Sequence, residues 1–453
     1  VQHKAVLNGA AAGLQAGDII MEINGKDMAQ GDRTPNELTS YVSDNLRGDP
    51  GTTCVLKLER PTADSTYIPM ELKITRGTIR TNPVPYYGMV DKNIGYIAIS
   101  TFAIEGCSKD IKKALIELKQ QGATSIVLDL RGNGGGLLSE AVNVVNFFVP
   151  KGKEIVVTKG KIKQAGSTYK TSNEPIDMEI PLTVLVDGAT ASAAEIVSGS
   201  LQDLDRAVIV GNRTYGKGLV QVPRELPYNS SMKVTTAKYY IPSGRCIQAI
   251  DYAKRNADGS VARIPDSLTT VFHTAAGREV RDGGGIRPDV EVKAERFPNI
   301  MFYLLNDDMI FDYATQYCIK HPNIGEVKDF SVTDADYDDF KQMLKKRNFT
   351  YDRQSEKSLK NLKEIAEFEG YMEGASEEFA ALEKKLTHNL DHELNRFSKQ
   401  IRKAIAEEIV KRHYFQRGVI LERMKDDADL TKAIETLKDK EGYTKILSVP
   451  ADK

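Results

Sequence analysis

A chain of 453 residues, with 62 Lys and Arg against 63 Asp and Glu, has room for roughly three domains of ~150 residues, which excludes one small fold. The formal net charge of −1 leaves no basic surplus to neutralise a phosphate backbone, and the charges are interspersed, so nucleic acid is not expected as a partner. With 41% hydrophobic and 28% charged residues the composition excludes wholesale disorder, and no window nears the ~18 consecutive apolar residues of a membrane-spanning helix.

The first twenty residues lack the basic start and apolar core of a signal peptide. Residues 1–4 read as the end of a strand and residues 5–7 as the start of another, with no turn between them, so residues are expected to be missing there or ahead of Val1. Residues 7–25 then give a short helix between glycines and an alternating strand closed by the hairpin signal Asn24-Gly25; Gly13, Gly17 and Gly25 read as turn positions. A helix over residues 35–46, a Gly/Pro turn at 48–53 and strands at 54–60 and 70–75 complete this module, and the Thr/Asn/Pro-rich stretch at 76–85 reads as its boundary.

Beyond it, β-rich runs at 96–99, 126–130, 183–186 and 207–210 alternate with helical stretches and glycine turns, which is mixed α and β structure. Three segments there carry candidate chemistry. Residues 126–136 (Ile-Val-Leu-Asp-Leu-Arg-Gly-Asn-Gly-Gly-Gly) are a buried strand entering a glycine-rich turn and a helix at 137–148, a geometry that offers backbone N–H groups to an anion. The phosphate-loop pattern G-x-x-x-x-G-K-[S/T] is missing, as is G-x-G-x-x-G with its later acidic residue, so no nucleotide cofactor is expected. Residues 183–197 are a strand, a tight turn and a helix that opens at Ser192, either a plain helix cap or, given a base, a nucleophile. Residues 211–222 set Lys217 between two glycines, with Leu219 and Gln221 on its face if the run is a strand; a confined lysine loses its charge more easily and can take a proton.

Taken together these three segments resemble the signature of the carboxyl-terminal processing peptidases, the tail-specific proteases. Residues 240–248 (Tyr-Ile-Pro-Ser-Gly-Arg-Cys-Ile-Gln) and 285–290 (Gly-Ile-Arg-Pro-Asp-Val) add to the match, and the upstream module resembles the centre of a PDZ domain, though the glycine-containing carboxylate loop is absent from the sequence as given. The resemblance implies a PDZ-like domain over residues 1–79, a Ser-Lys protease core related to the crotonase superhelix over 80–293, and a helical domain over 294–453. It also implies Ser192 as nucleophile, Lys217 as general base, Gln221 as the residue orienting the lysine, and backbone donors at Ala193 and Gly135 for the oxyanion. The activity implied is endopeptidase cleavage near the C-termini of extended polypeptides, with tail capture by the PDZ-like module as an added strand, no cofactor and no metal. The family usually works in the cell envelope or periplasm, so an export signal trimmed from this chain is expected.

Competing assignments find less support in the residues. Asp187, Glu195 and His273 do not make a Ser-His-Asp triad without the G-x-S-x-G elbow. Arg131 and Asn133 are expected to brace the glycine turn. His388 and His392 lack the H-E-x-x-H pattern and read as solvated. The four cysteines form neither a C-x-x-C pair nor a disulfide framework. Residues 249–282 read as a polar surface loop or lid.

After residue 293 only five of the 35 glycines remain, and apolar residues recur at three and four, as in Leu394, Phe397, Ile401, Ile405 and Ile409, which gives a helical domain suited to a homodimer or an adaptor contact. The rival functions are a non-enzymatic PDZ scaffold that collects C-terminal tails and a crotonase-type acyl-CoA enzyme that would need no serine.

Overall fold

The computed structural model describes residues 6–29, 31–64, 66–78, 81–161, 166–255, 261–293, 295, 297–386 and 389–448. The chain forms two compact units, each built from two stretches of sequence: Val1–Arg80 with Glu295–Asp426, and Thr81–Ala294 with Asp427–Lys453.

The first unit opens with α1 (Val6–Ala11), a helix where a strand was expected to start, in a stretch rich in alanine; residues 1–5 lie outside the described residues. The strands β1 (Ile19–Ile23) and β2 (Lys26–Asp27) are joined by Asn24-Gly25, both at positive φ (51° and 78°), the two-residue turn that matches strand twist. Next comes α2 (Pro35–Leu46), whose limits follow from chemistry: Thr34 and Glu37 form a reciprocal capping box and Pro35 starts the first turn. With β3 (Thr53–Pro61) and β4 (Tyr67–Thr75) the sheet runs β2-β1-β3-β4 over a small core of Ile23, Met28, Cys54 and Leu56.

In the second unit β5 (Tyr86–Asp91), β6 (Ile94–Ala98), α3 (Cys107–Gln120), β7 (Ser125–Asp129), α4 (Leu138–Asn146), β8 (Glu154–Gly160), β9 (Ser167–Lys170), β10 (Leu182–Val186), α5 (Ala193–Asp203) and β11 (Val208–Gly211) follow in turn. The strands β12 (Leu219–Leu226), β13 (Ser230–Tyr240), β14 (Ile250–Arg255), β15 (Val261–Arg263), β16 (Val271–His273), β17 (Glu279–Arg281) and β18 (Val290–Glu291) complete it. The main sheet has the order β18-β11-β10-β7-β6-β5, parallel except for the edge strand β5. Every residue of β6, β7, β10 and β11 is buried, as in a parallel sheet covered on both faces. Ile126, Leu128, Val184, Val186 and Ile209 belong to the core shared with α3, α4 and α5. A second sheet, β12-β13-β8-β9, is antiparallel.

The remaining helices are α6 (Asn299–Asn306), α7 (Met309–Lys320), α8 (Asp334–Lys346), α9 (Gln354–Phe368), α10 (Met372–Leu386), α11 (Leu390–Arg396), α12 (Ser398–Met424), α13 (Ala428–Lys438) and α14 (Lys440–Leu447). Leu304, Ile310, Tyr337, Phe340, Leu344, Leu394, Ile401, Ile405 and Ile409 form a core of the first unit. The long α12 is broken at Phe415, a non-glycine residue at φ 53°, ψ −147°.

Two expectations about organisation change here. Not all of 294–453 is one helical body: α13 lies against β10, β11 and β7 of the main sheet, burying Leu430, Ala433 and Leu437, and the Tyr443 hydroxyl both accepts from the Leu182 amide (2.9 Å) and donates to the Leu182 carbonyl (3.1 Å). An amphipathic period says that a helix buries one face but not which core receives it. The stretch 249–282 is also no plain loop. It holds two hairpins, β14–β15 and β16–β17, anchored by the Arg213–Asp266 ion pair (2.7 Å), by Arg278 to Asp205 and Asp289 (2.7 Å each), and by the Ala275 amide on the Asp203 carbonyl (2.7 Å). Its polar composition reflects hairpins with exposed faces.

Candidate active site

The glycine turn and the serine turn follow the C-terminal ends of the neighbouring parallel strands β7 and β10, where open α/β sheets place their ligands. They are stitched together by short-range polar contacts. Asp187 accepts from the Gly132 amide (3.0 Å) and from the Ala189 and Thr190 amides (3.0 and 2.9 Å); the Asn133 carbonyl accepts from Ala191 (2.9 Å), and the Thr190 hydroxyl donates to the Leu130 carbonyl (2.9 Å). So tight is the approach that a Cβ on Gly135, at φ +95°, would meet the Ala191 carbonyl oxygen at 2.7 Å and the Ala193 nitrogen and Ser192 Cβ at 2.8 Å, and only glycine fits.

Ser192 stands at the N-terminus of α5 with φ 56° and ψ −117°, outside the extended conformation of an ordinary cap. A non-glycine residue held there is strained, and such strain is a mark of functional sites. Ser192 is half-buried. Ala193 is the first residue of α5, where an amide has no intrahelical acceptor.

The residue that joins this serine to Lys217 is Glu195. Its carboxylate is fully buried and accepts from the Ser192 amide (2.8 Å) and the Lys217 amide (2.9 Å) through Oε2, and from the Gly216 amide (2.7 Å) and the Thr214 hydroxyl (2.5 Å) through Oε1. Burial pushes its pKa up, against hydrogen bonds that favour the charged form. Sequence reasoning missed this linking role and treated Glu195 only as a triad acid; the S-x-x-E spacing at a helix start is the signal for it.

Lys217 is half-buried. The reason for its two glycine neighbours is close packing: the Gly218 amide donates to Gln248 Oε1 (2.7 Å), the Gly216 carbonyl accepts from Ala249 (2.9 Å), and a Cβ at Gly216 would come within 2.3 Å of the Ala249 Cβ. The Lys217 carbonyl accepts the Tyr239 hydroxyl.

Two expected site residues are engaged otherwise. Gln221 is exposed, and its amide donates to Thr235 Oγ1 at 3.5 Å. The β12–β13 register shifts between Val220 and Gln221, where Thr236 is the extra residue, so the bulged strand is β13, the partner that Gln221 faces. Gly135 donates its amide to Asn133 Oδ1 (2.9 Å), a local side-chain turn that occupies the expected oxyanion donor.

Asn133 braces the turn, whereas the Arg131 guanidinium faces carboxylates outside it. The Asn133 side chain also donates to the Ile99 carbonyl (2.8 Å), and Arg131 pairs with Asp129 (2.5 Å), Asp427 (2.7 Å) and Asp429 (3.2 Å). His273 sits on β16 and His392 is exposed on α11, while His388 lies outside the described residues. The four cysteines are free, Cys54 and Cys107 buried, and among the described residues there is no metal-ligand cluster and no helix long and apolar enough to cross a membrane.

Parts of the chain resemble known proteins. The model of Peptidase family S41 matches residues 93–254, and that of a probable PDZ-protease, C-terminal helical domain, matches residues 300–437. The carboxy-terminal-processing protease of Bartonella bacilliformis is 38% identical over 247 residues, 53% of this chain and 54% of that protein. The carboxyl-terminal-processing protease of Picosynechococcus sp. is 38% identical over 235 residues, 51% of this chain and 53% of that protein. The chain thus spans about half the length of the curated relatives it matches. Among solved structures, the photosystem II D1 C-terminal processing protease is 29% identical, with 64% of this chain and 67% of that chain covered and a TM-score of 0.36. Residues 93–254 thus match peptidase family S41, and about half of the chain is similar to carboxyl-terminal processing proteases.

Proposed function

We propose that this chain is a serine endopeptidase that cleaves polypeptides near their C-termini with a Ser-Lys dyad. The observation that carries the reading is the shared oxygen of Glu195, which holds the backbones of Ser192 and Lys217 side by side beside the glycine turn. Lys217 takes the proton of Ser192 Oγ as it attacks the scissile carbonyl and returns it to the leaving amine; water then hydrolyses the acyl-enzyme with the lysine as base again. The Ala193 amide is one oxyanion donor, and Gly135 becomes the second once its amide leaves Asn133.

Gln221 orients Lys217 in a state where β12 has shifted against the bulge of β13, and the outward position seen here fits a resting enzyme. In this reading the N-terminal module is PDZ-like, captures the substrate tail as an added strand and gates that change. The parallel sheet with backbone amides at its strand ends favours kinship of the core with the crotonase superhelix. The cell envelope is the proposed place of action, and unfolded polypeptides are the partners. A serine-reactive fluorophosphonate tests the nucleophile: the reading expects one adduct, mapped by mass spectrometry to Ser192 and slowed by Lys217→Ala, and a labelled site elsewhere contradicts it.

A further inference from the structure

Beside the Ser192–Lys217 pair lies a side chain to which the mechanism above gives no task. Tyr239, on β13, is 2% exposed, and its ring belongs to the main core. Its hydroxyl donates to the Lys217 carbonyl, and its backbone amide donates to the Gly218 carbonyl at 3.1 Å. A buried phenol needs one partner, and packing alone would be served by phenylalanine. This one spends its donor on the backbone of the candidate base residue.

We propose that Tyr239 is a positioning residue of the Ser-Lys pair, a claim that rests on the reading of Ser192 and Lys217 as nucleophile and base. With its proton committed to the Lys217 carbonyl, the phenol fixes the backbone from which the Lys217 side chain reaches toward Ser192, and so sets where Nζ stands before reaction. The proton passes from Oγ to Nζ, and none passes through the phenol, which burial and the nearby Glu195 charge keep protonated.

The test compares the parent chain, Tyr239→Phe and Ser192→Ala in peptide hydrolysis, thermal unfolding and fluorophosphonate labelling. Tyr239→Phe is expected to melt within a few degrees of the parent, to keep KM within about twofold, and to lose about 10- to 100-fold in kcat and in labelling rate. In a Lys217→Ala background the same change is expected to slow labelling less than about threefold, because residues that act as a unit are not additive. Parental kcat and labelling in folded Tyr239→Phe, or losses that multiply with those of Lys217→Ala, overturn the inference and leave the Ser-Lys reading standing. Activity that survives Ser192→Ala overturns that reading itself. If Tyr239→Phe does not fold, 3-fluorotyrosine at position 239 keeps the ring and changes only the strength of the phenol; a change in labelling rate supports the inference, and the parental rate overturns it.

Discussion

The backbone amides of Ser192 and Lys217 donate to the same carboxylate oxygen, Glu195 Oε2, at 2.8 and 2.9 Å. Twenty-five residues apart in sequence, they are held in one frame by a side chain that is 0% exposed. The proposed nucleophile and base are therefore positioned through their backbones, whatever their side chains do during turnover.

Removing that carboxylate should cost both stability and rate. Glu195→Ala leaves the Ser192, Gly216 and Lys217 amides without their acceptor, at roughly 1–3 kcal/mol for each group that stays buried. Thermal unfolding should show a fall of several degrees, and hydrolysis at a temperature where the variant is folded should drop at least about 100-fold. A folded, fully active Glu195→Ala would show that the frame is dispensable.

Gly135→Ala should abolish activity, because its Cβ would push on Ser192 Cβ, the Ala193 nitrogen and the Ala191 carbonyl, all within 2.8 Å. Gly152→Ala makes the control. That glycine also has positive φ (+82°) but open space around it, so it should lose only about 1 kcal/mol of stability and keep its rate. Comparable damage from both changes would mean that strain, not crowding at the site, limits position 135.

Arg131 should prove to be the residue that secures the last two helices. Its guanidinium sits among Asp129, Asp427 and Asp429, and Arg131→Ala leaves three partly buried carboxylates facing one another without it, a loss of about 3–5 kcal/mol. Hydrogen exchange should quicken in α13 and α14 before it does in α3 or α4. Uniform quickening would instead assign Arg131 to global stability.

Glu140 gives a pH signature. Burial raises its pKa, but hydrogen bonds from Ser108 and Gly106 outweigh that and leave it below the ordinary 4.5. A carboxyl depressed in the folded state adds stability above its unfolded pKa and loses it as pH falls through the folded value. Glu140→Gln should thus be less stable than the parent at neutral pH, with the gap narrowing as pH falls below 4.5 in acid unfolding curves. A gap that is constant with pH would mean the carboxylate charge contributes nothing.

How much of this could be read from sequence depended on whether the signal was local. The strands at Ile126, Thr183 and Val208 were visible because buried parallel strands are continuous β-branched runs, and α2 because Thr34, Pro35 and Glu37 write its start. Gln221 shares a face with Leu219 by simple alternation, but its contact with Thr235 depends on pairing with β13, whose extra residue Thr236 leaves no mark in the sequence. The engagement of the Gly135 amide by Asn133 is an i, i+2 side-chain turn that Asn-Gly-Gly permits but does not require. The destination of α13, and the meeting of Tyr239 with Lys217, depend on contacts between distant segments, about which periodicity is silent.

The central claim is that Ser192 and Lys217 form a proteolytic pair, and the most direct measurement is cleavage of an unfolded protein with an apolar C-terminal tail by the parent chain, Ser192→Ala and Lys217→Ala, each verified as folded. The account predicts cleavage by the parent and loss of at least about 1,000-fold in both variants. Cleavage that persists in either variant, or a parent that binds the tail yet never cuts it even when a PDZ-directed peptide is added, would contradict it.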